Sequence, residues 1–182
     1  WEREGAQANG TPLSNFILTT NRDTSITDTV NYWLNGSRRN IKGHVTGMVK
    51  YHKQLKGIGI ADRDLVIWLP PGYDKSGKKK YPVLYMQDGQ NIFDPATSSF
   101  GTDWQLDEIC DSLITTGKIK PLIVAGIYNT SDRMAEYTPG SKGTAYMDFV
   151  TDTVKNFVDK NYRTRPGRKF SWVGGSSAGG TI

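Results

Sequence analysis

Residues 169–180 read Lys169-Phe170-Ser171-Trp172-Val173-Gly174-Gly175-Ser176-Ser177-Ala178-Gly179-Gly180. Phe170 to Val173 is a short apolar run of the kind that forms a buried strand. It leads directly into Gly175-Ser176-Ser177-Ala178-Gly179, a G-x-S-x-G pattern. A strand that breaks into a sharp turn at such a pattern holds its central serine in a strained backbone conformation, with the hydroxyl exposed. The flanking glycines are needed because the turn brings two backbone segments too close for side chains. Ser177 is therefore a candidate nucleophile. Glycine- and serine-rich runs are also the commonest form of an ordinary loop. The pattern alone decides nothing; the elements around it do.

Working back from this turn, a helix is expected from about Thr144 to Tyr162. Tyr146, Phe149, Val150, Val154, Phe157, Val158 and Tyr162 form its apolar stripe. Before it, Leu122 to Tyr128 is a nearly continuous apolar run, the mark of a strand covered on both faces in a parallel sheet. Leu106, Ile109, Cys110, Leu113 and Ile114 define another helix. Thr102 and Gln105 are spaced as a capping box at its start, and Gly117 is its stop. Tyr81 to Met86, Asp64 to Leu69 and Val45 to Leu55 read as further strands. From residue 64 the order is strand, strand, helix, strand, helix, strand, turn. Alternating elements of this kind predict an α/β fold with a mostly parallel sheet and helices on both faces. Ligands then bind beyond the carboxyl ends of the strands, where the loops 87–91 and 174–180 both lie.

The bulk properties are those of an ordinary globular chain. Of 182 residues, 36% are hydrophobic and 23% charged, and the net charge is +5. The one dense basic run, Lys78-Lys79-Lys80, sits in a loop between strands and reads as a solvated turn, not a nucleic-acid patch. No apolar stretch approaches the roughly 20 residues that span a bilayer. Gly57-Ile58-Gly59-Ile60-Ala61-Asp62 lacks the third glycine and the helix of a dinucleotide loop, and that reading is rejected. Cys110 falls on a helix's apolar face as a small core residue. No metal-ligand set and no cofactor are implied. Residues 1–40 are set apart as a β-rich segment, with an apolar patch at Phe16-Ile17-Leu18, a strand over 26–34 and a linker at Asn35–Asn40. Residues 41–182 form the main domain.

Four motifs together resemble the putative-esterase family of α/β-hydrolases. These are Arg63 to Tyr73, Tyr81 to Asp94, and Gly126 to Asn129 with Arg133, Glu136, Tyr137, Thr138 and Pro139; the turn at Gly175–Gly179 is the fourth. They follow the family's order and spacing over residues 63–180. The family includes enterochelin-type esterases, S-formylglutathione hydrolases, and feruloyl and acetyl-xylan carbohydrate esterases. The resemblance implies a serine esterase with Ser177 as nucleophile. Its oxyanion donors would be the backbone N–H groups of Ala178 and Gln90. Asp88 stands where many relatives carry histidine. Arg133, Glu136 and Tyr137 are candidates for lining the substrate pocket, with an Arg133–Glu136 salt bridge as the structural alternative. Trp104 faces either the cleft or the packing. The N-terminal Trp1-Glu2-Arg3-Glu4 and Asn9 to Asn15 loosely resemble the last strands of a starch-binding-type β-sandwich. This points to acyl esters of carbohydrate as substrates. The family's carbohydrate esterases are usually exported, which implies a secreted or periplasmic protein, with a cytoplasmic one acting on a small thioester or trilactone as the alternative.

One departure matters. In such enzymes the acid and histidine of the triad follow the nucleophile. Here the only histidines, His44 and His52, precede it, and neither is expected to act as base. The chain is therefore expected to be part of a longer esterase, with little turnover by itself. The strand into the turn, central in a complete sheet, is expected to leave an apolar edge. The competing reading is a non-catalytic carbohydrate-binding or interaction protein on the same scaffold.

Overall fold

The computed structural model describes residues 41–182 and, before them, the two short strands β1 (Gly5–Ala6) and β2 (Tyr32–Trp33). The chain divides into two compact units, Trp1–Asn40 and Ile41–Ile182. In the first, β1 and β2 pair antiparallel, with Gly5 opposite Trp33. The patch at 16–18, the Asn35–Asn40 linker and the rest of the 26–34 strand lie outside the described residues.

The second unit is built on one five-stranded sheet. Its strands are β3 (Met48–Leu55), β4 (Arg63–Leu69), β5 (Val83–Gln87), β6 (Ile123–Ile127) and β7 (Ser171–Gly174), in the spatial order β3-β4-β6-β5-β7. The sheet is mixed: β4 runs antiparallel to both its neighbours, while β6, β5 and β7 are parallel. From β5 the chain crosses to β6 on one side, then returns past β5 to β7 on the other. Right-handed crossovers in opposite directions put their helices on opposite faces.

That is what the packing shows. Helix α1 (Leu106–Thr115) covers one face, where Cys110 packs with Val66, Trp68, Ile92, Phe93, Leu122 and Val124. The other face carries α2 (Ser141–Asp148), a π-helical turn at Phe149–Val154 and α3 (Lys155–Asn161), a single continuous run. Its Tyr146, Phe149, Val150, Val154 and Val158 pack on Leu65, Ile67, Val83, Tyr85, Ile123 and Ile127. Along β4, Leu65 and Ile67 therefore face one layer and Val66 and Trp68 the other, the period-2 alternation of a strand. No described helix is long and apolar enough to cross a membrane.

Three local expectations change. Gln105 precedes α1 with a left-handed backbone (φ 53°) and no side-chain cap. Its N–H is taken by Asp103 Oδ2 at 2.9 Å, so the Thr102–Gln105 capping box is not formed. Ile109 is 49% exposed, which narrows the buried stripe of α1. The second long helix begins at Ser141, three residues earlier than the apolar stripe indicates, because a stripe marks only the turns that touch the core. Among the described residues β7 is an edge strand, with Trp172 and Val173 half exposed.

Candidate active site

The loops leaving β5 and β6 go to opposite faces of the sheet, so the switch point, the crevice in which open α/β sheets bind ligands, falls at the carboxyl ends of these two strands, beside β7. The loop after β5 and the turn after β7 meet there. Leaving β7, Ser176 is extended (φ −116°, ψ 149°), and Ser177 turns into the left-handed region at φ 54°. A short 3-10 turn, Ser177–Gly180, follows, and Gly179 N–H bonds to the Ser176 carbonyl at 2.9 Å. Ser177 is exposed and Ala178 half-buried. A Cβ on Gly175 would stand 2.2 Å from the Gly179 carbonyl oxygen. One on Gly179 would stand 3.1 Å from Gln87 Cβ. The two glycines of the pattern thus permit the turn to close and to lie against the end of β5.

The loop after β5 is shaped by a second left-handed residue, Asp88 (φ 57°), followed by the 3-10 turn Gly89–Asn91. Gly89 is pressed against the backbone of β6: a Cβ would lie 2.4 Å from the Gly126 carbonyl carbon. The buried Asp88 carboxylate is a hub. Arg133 grips it in two places, Nε to Oδ1 and Nη2 to Oδ2, both at 2.7 Å. Asn129 Nδ2 donates to Oδ1 at 2.6 Å, and the Tyr137 hydroxyl donates to the same oxygen at 3.3 Å. Charge-assisted, two-point bonding of this kind is the strong form of the hydrogen bond. The Asp88 bond holds the Arg133 pKa above its usual value, and burial pushes the Tyr137 phenol up to about 12. Arg133 Nη2 also reaches the Ser176 carbonyl at 3.5 Å, so one guanidinium touches both the β5 loop and the serine turn. Thr181 Oγ1 ties the turn to the Tyr137 carbonyl at 2.8 Å.

The profile of the family described as "Putative esterase" matches residues 61–182. The chain belongs to this esterase family. A curated relative, an endo-1,4-beta-xylanase/feruloyl esterase of Xylanibacter ruminicola, is 34% identical over 121 residues, which is 63% of this chain and 16% of that protein. Among solved structures, a ferulic acid esterase superposes with a TM-score of 0.57 at 23% identity, over 74% of this chain and 52% of its own. An enterobactin esterase of Shigella flexneri superposes at 0.59 with 15% identity, over 74% of this chain and 32% of its own. The two structures show a common fold. The chain spans about half the length of that ferulic acid esterase and a smaller part of the other two relatives.

Within this esterase-family scaffold the candidate residues separate. Ser177, Ala178 and Gln90 belong to the two segments at the crevice. Gln90 is buried; its side-chain Oε1 accepts the Asn129 N–H at 3.2 Å and its carbonyl accepts the Thr97 hydroxyl at 2.7 Å. Arg133 is partly exposed beside them. Glu136 is not at the surface: it is fully buried and paired with Arg63 through bonds of 2.6 and 2.9 Å. The Arg133–Glu136 bridge is therefore absent, since each partner is claimed by a residue far away in sequence. Tyr137 is buried behind the turn. Trp104 packs in the α1-side core. His52 lies on β3, the opposite edge of the sheet from β7, and bonds to the Tyr162 hydroxyl. His44 is exposed and faces Glu108. The hub role of Asp88 and the part of Asn129 were not assigned from sequence. The one available signal was an acid beside a glycine in a loop 45 residues from an arginine.

Proposed function

We propose that the protein is a serine carboxylic-ester hydrolase working through an acyl-enzyme on Ser177, with carbohydrate-linked acyl esters of the feruloyl or acetyl type as substrates. The observation that carries this reading is the backbone of Ser177. A non-glycine residue at φ 54° costs about 1–2 kcal/mol and persists only where its surroundings impose it. Here it sits at the apex of a G-x-S-x-G turn, beside the switch point of the sheet. In this reading Ser177 Oγ attacks the ester carbonyl, its proton passes to a general base, the alcohol leaves, and water then hydrolyses the acyl-enzyme. The N–H groups of Ala178 and Gln90 are the proposed donors to the oxyanion. Arg133 borders the approach, and Tyr137 and Glu136 support it from behind. The carbohydrate preference rests on the xylanase/feruloyl esterase relative and suits a secreted or periplasmic setting. Residues 1–40 are proposed as the tail of a carbohydrate-binding β-sandwich.

With His44 and His52 both engaged elsewhere, neither is assigned as base, and the chain alone is expected to turn over esters slowly. That same observation favours the second reading, a non-catalytic carbohydrate-binding or interaction protein on this scaffold. A fluorophosphonate serine probe separates the two. Labelling that disappears in Ser177→Ala, joined by release of ferulate or acetate from model esters, supports the esterase. Absence of labelling both in this chain and in the longer esterase it is expected to belong to, with retained binding to xylan, overturns it.

A further inference from the structure

The end of the sheet remote from Ser177 collects positive charge that the esterase chemistry does not use. Lys78, Lys79 and Lys80 lead into β5, and Arg165, Arg168 and Lys169 lead into β7. The fold joins these two segments. Tyr81 N–H bonds to the Arg163 carbonyl and Arg165 N–H to the Tyr81 carbonyl, both at 2.8 Å, and Arg163 Nε reaches the Lys79 carbonyl at 3.3 Å. All six residues are exposed. Among the described residues, none of the six forms an ion pair with an acid. Asp159, which packs behind the bridge, is taken by Lys155 and by the Thr164 hydroxyl. Asp74, with Lys75 beside it, is the only acid in the two segments, 73–81 and 163–170.

Aromatic rings hold these charges in place. Lys79 Nζ lies 5.6 Å from the Tyr81 ring centroid, and the Arg163 guanidinium 3.8 Å from that of Tyr73. Arg165 and Lys169 share the Phe170 ring, at 3.6 and 5.9 Å. The Tyr73 and Tyr81 rings in turn stand 5.4 Å apart. Such contacts are attractive and limit where a long side chain carries its charge. A guanidinium over a ring face keeps its N–H donors for other partners.

We propose that this edge binds an acidic polysaccharide, a sugar polymer whose recurring carboxylates pair with the clustered cations. The inference rests on the carbohydrate reading of the substrate given above. Six cations on two joined segments are more than one small anion can use. Tyr81 is buried, and Tyr73 and Phe170 are half-buried beneath cations, so the edge lacks the exposed rings on which nucleobases stack. The crevice lies at the other end of β5, about 15 Å of strand away. A polymer held here therefore leaves Ser177 open and raises the local concentration of its own ester groups.

The test is calorimetric titration of the chain with polygalacturonate, with xylan bearing glucuronic acid, with neutral arabinoxylan and with a short DNA duplex. Both acidic polymers should bind, with an affinity that falls as salt rises. Neutral arabinoxylan should bind more weakly by about tenfold or more, and Lys79→Glu with Lys169→Glu should weaken the acidic polymers by a similar factor, the scale on which clustered charge concentrates counter-ions. Lys79→Gln with Lys169→Gln is the milder variant at the same positions and should fall between. Lys53→Glu with Lys56→Glu makes the same change in net charge at the crevice end of the sheet, beside the start of β4, and should leave binding unchanged. The unfolding temperature of each variant reports its folding. Failure of both acidic polymers to bind, equal affinity for neutral arabinoxylan, or binding that the edge variants leave unchanged overturns the proposal. Tighter binding of the DNA duplex than of either acidic polymer overturns it too and assigns the edge to nucleic acid. No readout here needs turnover, so serine-probe labelling can fail while this binding holds, and the reverse.

Discussion

Replacing Glu136 should unfold this domain far more readily than any surface change. Arg63 and Glu136 have side chains 1% and 0% exposed and meet through two bonds of 2.9 and 2.6 Å. The guanidinium also lies 4.9 Å from the Tyr146 ring centroid and 5.2 Å from that of Phe149. It gives one further bond to the Ala61 carbonyl at 3.0 Å. Removing the carboxylate leaves those ring contacts in place but strands a positive charge among them. Breaking a buried pair in this way costs about 3–5 kcal/mol. Glu136→Gln keeps the volume and one acceptor, so it should fall near 3 kcal/mol, and Glu136→Ala near 5 kcal/mol, as order-of-magnitude values within that range. Against a typical total of about 5–15 kcal/mol, either is a large fraction. Urea unfolding followed by tryptophan fluorescence measures the loss, with the dependence on denaturant expected to stay constant. The double change Arg63→Met with Glu136→Leu should recover most of it, since the desolvation cost of both charges disappears. A loss below about 1 kcal/mol for Glu136→Gln would refute the reasoning, because the charge would then be solvated in a way this burial does not allow.

Gly175→Ala should destabilise the domain by about 1–3 kcal/mol in the same urea assay, because its Cβ meets backbone, the Gly179 carbonyl at 2.2 Å, and not a side chain that can swing aside. Cys110 is buried, and burial, with Asp107 a smaller cause, pushes its thiol up to about 11. An aromatic disulfide reagent at neutral pH should therefore react with it only as the domain opens, at a rate that rises with urea. Burial lowers the His52 pKa, so the unfolded chain takes up that proton first. The contribution of His52 to stability should be complete above about pH 6.5 and be lost as pH falls through its folded value, and His52→Gln should flatten that part of a stability–pH curve.

Much of this fold is local physics written along the chain. The unbroken apolar run Leu65-Val66-Ile67-Trp68 is that of a strand with two buried faces. The stripe from Tyr146 to Val158 specifies a helix with one. Gly175 and Gly179 specify a turn at Ser177, because only glycine lets those backbones touch. What the sequence could not show are the choices that need distant groups. Whether β4 runs with or against β6 depends on pairing across about 60 residues, not on its own composition. Arg133 and Glu136 stand one helical turn apart, yet they part company: Arg133 reaches Asp88, 45 residues away, and Glu136 reaches Arg63, 73 residues away. Spacing along a helix says which charges are close enough to meet. Burial decides which do, because a carboxylate removed from water takes the partner that shares its interior, and only the folded chain determines what that interior contains.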